Sequence, residues 1–181
     1  GVDDGQPLSN FECRLDGAAA SACTSPKNYA SLAAGNHTFS VVGIDGAGNR
    51  SSAATYTWMV DTTPPTVTIV SAPDAKSTTR TGDFLFSAVD SGSGVDVIEC
   101  RLDADAFSVC GSTKSFANLT EGAHIVEVRS KDRAGNLSSV AAHRWTVDTI
   151  KPIVTITSGP GPYVNVKVAT IAFTIMDADA S

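Results

Sequence analysis

The chain repeats itself, and the period constrains its fold more than any local signal does. Shifted by 87 residues, the sequence aligns with itself without a gap. Glu12-Cys13-Arg14-Leu15-Asp16 falls on Glu99-Cys100-Arg101-Leu102-Asp103, and Cys23 falls on Cys110. His37 falls on His124, Asp45 with Ala47-Gly48-Asn49 on Asp132 with Ala134-Gly135-Asn136, and Trp58 on Trp145. Residues 1–60 match 88–147 at 27 of 60 positions, and 61–94 match 148–181 at 10 of 34. The expected organisation is a partial repeat over 1–60 that lacks its first strands, a complete repeat over 61–147, and the opening strands of a third over 148–181. Divided so, the chain reads as a window on a longer tandem array.

Within the period, apolar residues alternate with polar ones and no stretch holds a helical period. Phe84, Phe86 and Ala88 share one face of a strand, as do Ile98, Cys100 and Leu102, and then His124, Val126 and Val128. About seven short strands separated by Gly, Pro, Asp and Asn predict an all-β protein. Its units are antiparallel β-sandwiches of immunoglobulin or fibronectin-III type. The repeated tryptophan sits on the last strand of the unit, unlike that of an antibody domain.

The string around Phe11-Glu12-Cys13-Arg14-Leu15-Asp16, the loop Asp45-Gly46-Ala47-Gly48-Asn49 and the exit Val60-Asp61-Thr62-Thr63-Pro64-Pro65 together resemble bacterial Ig-like repeats. Such repeats belong to large secreted surface proteins and adhesins. The resemblance spans the whole chain and implies β-sandwiches outside the cell, serving as spacers or sometimes as ligand-binding modules. It does not imply an enzyme. The exit of the complete repeat departs from the pattern, with Ile150-Lys151 where the first exit has Thr63-Pro64, and predicts a less stiff linker there.

Charge narrows the partners. A net charge of −6 opposes nucleic acid or anionic lipid as the main partner, and no apolar run approaches the ~20 residues of a membrane-spanning helix.

The four cysteines form two pairs with nine residues between partners, Cys13/Cys23 and Cys100/Cys110. Zinc sites use closer pairs or histidine partners, which are lacking. Centred on Ala18 and Asp105, the members of each pair fall opposite one another on a hairpin. One disulfide per hairpin is expected, and with it an oxidising compartment. With Cys100 facing the core, Phe107 and Val109 point outward and a bulge is expected.

In a seven-stranded sandwich the loops after the second and sixth strands lie at the pole where the linker enters. For the complete repeat that pole gathers Asp61 from the linker, Asp90 and Asp96 from one loop, and Asp132 with Asn136 from the other. Calcium takes six to eight oxygens, several from carboxylates, and several carboxylates at one pole repel one another unless neutralised. The same positions recur as Asp3, Asp45 and Asn49 before it and as Asp148 and Asp177 after it. Two readings stand side by side: a calcium ion between repeats, and Asp and Asn side chains that cap their own turns.

Catalysis finds no support. His37 and His124 are repeat-equivalent strand residues, which predicts a structural role; His143 has Tyr56 as its counterpart. No serine sits in a Gly-x-Ser-x-Gly elbow. The function expected is therefore a spacer or stalk repeat of an extracellular bacterial surface protein. The alternative is an adhesin module that binds a glycan or protein. Partners are neighbouring repeats of the same or an identical chain, in the latter case by strand complementation between 148–181 and the incomplete 1–60 unit. A unique exposed aromatic cluster would mark a binding site. Phe107 and Tyr163 lack aromatic counterparts, falling on Ala20 and Lys76.

Overall fold

The computed structural model describes residues 8–177 and is all-β, with strands and no helix among those residues. The first repeat contributes β1 (Leu8–Leu15), β2 (Ser21–Cys23), β3 (Gly35–Asp45) and β4 (Ala54–Val60), in one sheet ordered β2-β1-β3-β4. The next contributes β5 (Thr66–Ser71), β6 (Lys76–Ser77), β7 (Thr81–Val89), β8 (Val95–Leu102), β9 (Ser108–Val109), β10 (Thr113–Ala117), β11 (Gly122–Asp132) and β12 (Ala141–Val147). A final hairpin pairs β13 (Ile153–Ser158) with β14 (Ala172–Met176). Strands β1, β3, β4 and β5 recur 87 residues later, with the same lengths, as β8, β11, β12 and β13.

By packing, the described residues divide into two compact units. One holds the chain up to Thr66 with Val89–Asp96 and Ser130–Ser138; the other holds Val67–Ala88, Val97–Arg129 and the chain from Ser139 onward.

The second unit has a sandwich core. Sheets β10-β7-β5 and β6-β12-β11-β8-β9 bury one cluster between them: Val67, Phe84, Phe86, Cys100, Val126, Val128, Trp145 and Val147, with Leu119 from a loop. Alternation explains the choice, since β7 hides Phe84 and Phe86 while Asp83 and Leu85 face out. Phe84 meets Trp145 edge-on across the sheets at 5.4 Å. Each such side chain contributes roughly 1.5–3 kcal/mol of burial.

In the first unit the corresponding face is open. Cys13 and His37 are buried, but Phe11, Phe39, Val41, Tyr56 and Trp58 line a groove of about 720 Å³. The segment 26–30, counterpart of β10, forms no strand.

Both cysteine pairs are at disulfide distance, Cys13–Cys23 and Cys100–Cys110, each with a Cα–Cα separation of 5.8 Å. Their register differs from direct opposition. Cys13 pairs with Ser21 and Phe11 with Cys23, while Cys100 pairs with Ser108. The turns centre one residue earlier than expected, on Gly17 and Ala104. Asp16 and Asp103 take φ of 51° and 50°, and Ala18 and Asp105 N–H groups bond back to Leu15 and Leu102. Partners thus become diagonal neighbours on one face. The Cys110 N–H bonds the Ile98 carbonyl in the same continuous register, so the expected bulge is unnecessary. Val109 does point outward.

Candidate functional site

Three carboxylates meet inside the first unit. Asp61, Asp90 and Asp132 each offer an oxygen within 4.8 Å of the others'. Asp61 follows β4, Asp90 follows β7, and Asp132 ends β11, where it is 1% exposed.

Backbone amides hold each carboxylate in place. Asp90 Oδ2 accepts the N–H groups of Gly92 (3.1 Å) and Gly94 (2.6 Å). Asp61 Oδ2 accepts Ser93 N–H at 2.7 Å and its Oδ1 accepts Thr63 N–H at 3.0 Å. Asp132 accepts both the N–H and the Nδ2 of Asn136 at 2.8 Å. Hydrogen bonds from the Ser93 hydroxyl and N–H, then from Thr63 N–H, keep the Asp61 carboxyl below the usual carboxylate range.

Two features fit a cation. Asp90 Oδ1 is buried without a hydrogen-bond partner, and such an orphaned acceptor needs explanation. Gly92 lies so close to Asp61 that an added Cβ would fall 2.4 Å from Oδ2, so only glycine leaves the cradle open. Oxygen-only donors of this kind suit a hard divalent cation such as calcium.

The other predicted ligands are placed differently. Asp96 is exposed at the start of β8 and does not join the triad. Asn136 joins it as an amide donor, through Asp132 and the Asp61 carbonyl at 3.1 Å. Asp45 accepts the N–H groups of Ala47 and Asn49 and the Asn49 amide, which closes its own turn. Asp148 caps Ile150 N–H at 3.2 Å, and Asp177 follows β14 at the surface. Asp3 lies outside the described residues. Among the described residues the repeat-equivalents form no second triad. Gly92 and Ser93 escaped the sequence reading, although Asp90-Ser91-Gly92-Ser93-Gly94 carries the small residues such a cradle requires.

The repeated histidines are structural. His37 Nδ1 lies 2.7 Å from Asp16 and its Nε2 2.8 Å from the Ala33 carbonyl. His124 makes the same contacts with Asp103 (2.8 Å) and the Thr120 carbonyl (3.0 Å). Both partners are acceptors, and only imidazolium donates from both nitrogens. The Asp16 bond, then the Ala33 carbonyl, raises the pKa of His37. Burial opposes protonation of His124, but Asp103 and the Thr120 carbonyl outweigh it. Phe107 is packed under the guanidinium groups of Arg101 (4.6 Å) and Arg129 (4.2 Å), themselves bonded to Glu127 and Glu99.

The two sheets of the second unit, packed on one apolar core, make an antiparallel β-sandwich of immunoglobulin/fibronectin-III type. Structural comparison finds similarity to the fibronectin(III)-like modules of Clostridium thermocellum CbhA, at 18% identity and a TM-score of 0.47, over 81% of this chain and 82% of that one. The central fibronectin-III array of RIM-binding protein is similar over 90% of this chain and 67% of that one, at 14% identity and a TM-score of 0.33. No protein-family model and no curated protein matches the chain in sequence. Among the described residues no helix is long and apolar enough to cross a membrane.

Proposed function

We propose that the chain is a non-catalytic spacer segment of an extracellular bacterial surface protein. In this reading its sandwich repeats are joined covalently and calcium at Asp61, Asp90 and Asp132 fastens the entry of one. The observation that carries the spacer reading is the recurrence of β1, β3 and β4 as β8, β11 and β12 at a fixed 87-residue offset. Arrays of this kind are built from units that contact only their neighbours. Disulfides in both repeats favour an oxidising compartment. The calcium reading is supported by the orphaned Asp90 oxygen and the Gly92 cradle. Ligand binding as an adhesin module is the second reading, favoured by Tyr163, which is 95% exposed and unique to its repeat. The immobilised chain, screened against arrays of glycans and matrix proteins, separates the two. A spacer gives no saturable binding; saturable binding lost in Tyr163→Ala favours the adhesin.

A further inference from the structure

We propose that the Ser130 hydroxyl is a further ligand of the calcium ion at Asp61, Asp90 and Asp132, reaching it from the inward face of β11; the assignment rests on the calcium reading. Strand β11 turns His124, Val126, Val128, Ser130 and Asp132 to one face, and all five are buried. Ser130 and Asp132 are consecutive side chains on that face, about 7 Å apart along the strand. Strand β7 hides Gly82, Phe84 and Phe86 in the same way, and Asp90 continues that series two residues past Ala88. Asp90 and Asp132 are thus the polar ends of two inward rows, and Ser130 is the polar residue next to Asp132 in its row. Ser130 falls in the same compact unit as the three aspartates.

Two buried side-chain oxygens lack a hydrogen-bond partner among the described residues, Asp90 Oδ1 and Ser130 Oγ. Ser130 as a whole is 0% exposed. Since neither oxygen has a partner, the two do not bond each other. A cation held at the triad satisfies both, because each oxygen brings it lone pairs and the hydroxyl hydrogen is free to turn away.

The hydroxyl is not needed to build this end of the strand. Ser130 N–H donates to Ser138 Oγ at 2.9 Å, and Ser138 N–H donates to the Ser130 carbonyl at 2.9 Å. The first repeat makes the same two bonds with glycine in this place. Gly43 N–H donates to Ser51 Oγ at 3.0 Å, and Ser51 N–H donates to the Gly43 carbonyl at 2.9 Å. Glycine therefore fills the structural role. Burying a hydroxyl there instead carries a desolvation cost that a bound cation offsets.

A neutral oxygen also suits the shell. The three carboxylates already accept the N–H groups of Thr63, Gly92, Ser93, Gly94 and Asn136, while calcium takes six to eight oxygens. A fourth carboxylate would add to the repulsion among the other three. A hydroxyl adds a ligand without adding charge.

Calorimetric titration of the 181-residue chain with calcium chloride, beside thermal melting in EDTA, tests the assignment. Ser130→Ala should raise the calcium Kd about tenfold or more. Its melting temperature in EDTA should be unchanged or higher, since an unpartnered buried hydroxyl is gone. Ser130→Gly, the residue the first repeat carries here, should weaken calcium to the same degree. A serine with a purely structural role would lower melting equally with and without calcium, and that result overturns the assignment. Calcium binding as tight in both variants as in the wild type also overturns it, and leaves the calcium reading standing. Absence of calcium binding by the wild type removes the calcium reading itself, and the assignment with it.

Discussion

Gly92 faces the Asp61 carboxylate so closely that an added Cβ would lie 2.4 Å from Oδ2, and any other residue there must push that carboxylate aside. Its φ is not left-handed, so alanine there meets only the steric conflict. Gly92→Ala should displace the Asp61 carboxylate and cost about 1–3 kcal/mol. Thermal melting reads the loss, and an unchanged melting temperature contradicts the cradle.

Sheet position, not residue type, should set the cost of core truncations. Val128 is fully buried while Val41, its repeat-equivalent, lines the open groove. Val128→Ala should cost about 2 kcal/mol and Val41→Ala under about 1 kcal/mol. Chemical denaturation of the two variants checks the contrast, and equal costs oppose an open first unit.

Much of this was legible from the period alone. Alternation at Phe84/Phe86 and at Val126/Val128 named the core because each strand has one buried face and one wet one. The convergence of Asp61, Asp90 and Asp132 followed from sandwich topology, which puts their loops at one pole. The disulfide register did not follow, because Asp16 and Asp103 take left-handed φ and recentre both turns by one residue. Asp96 was misplaced for a related reason: it already belongs to β8, past the end of the loop. Gly92 was invisible because its role is a distance to Asp61, far away in sequence.

The bridges should act locally. Replacing Cys100 and Cys110 by serine should destabilise the second unit by about 3 kcal/mol, the cost of reopening a short loop in the unfolded chain. Amide exchange in β3 should stay unchanged, because array stability sums local terms. Faster exchange in β3 contradicts locality.

Acidity should favour the fold near neutrality. His37 and His124 have folded pKa values above the unfolded value of about 6.5. Their stabilisation is complete below that value and is lost as pH rises through the raised folded pKa. Melting temperature should therefore fall as pH rises from about 6.5 through the raised folded pKa. Asp16→Asn with Asp103→Asn should flatten that slope; a slope retained in the double variant assigns it elsewhere.

The role of the three aspartates is tested most directly by the melting temperature of the chain in calcium and after chelation. An ion bound only by the folded state at a hundred times its Kd adds about 2.7 kcal/mol. The expected result is a rise in calcium that EDTA reverses, that magnesium at equal concentration does not match, and that Asp90→Asn abolishes. Identical melting in calcium and EDTA contradicts it and leaves the three aspartates as turn formers alone.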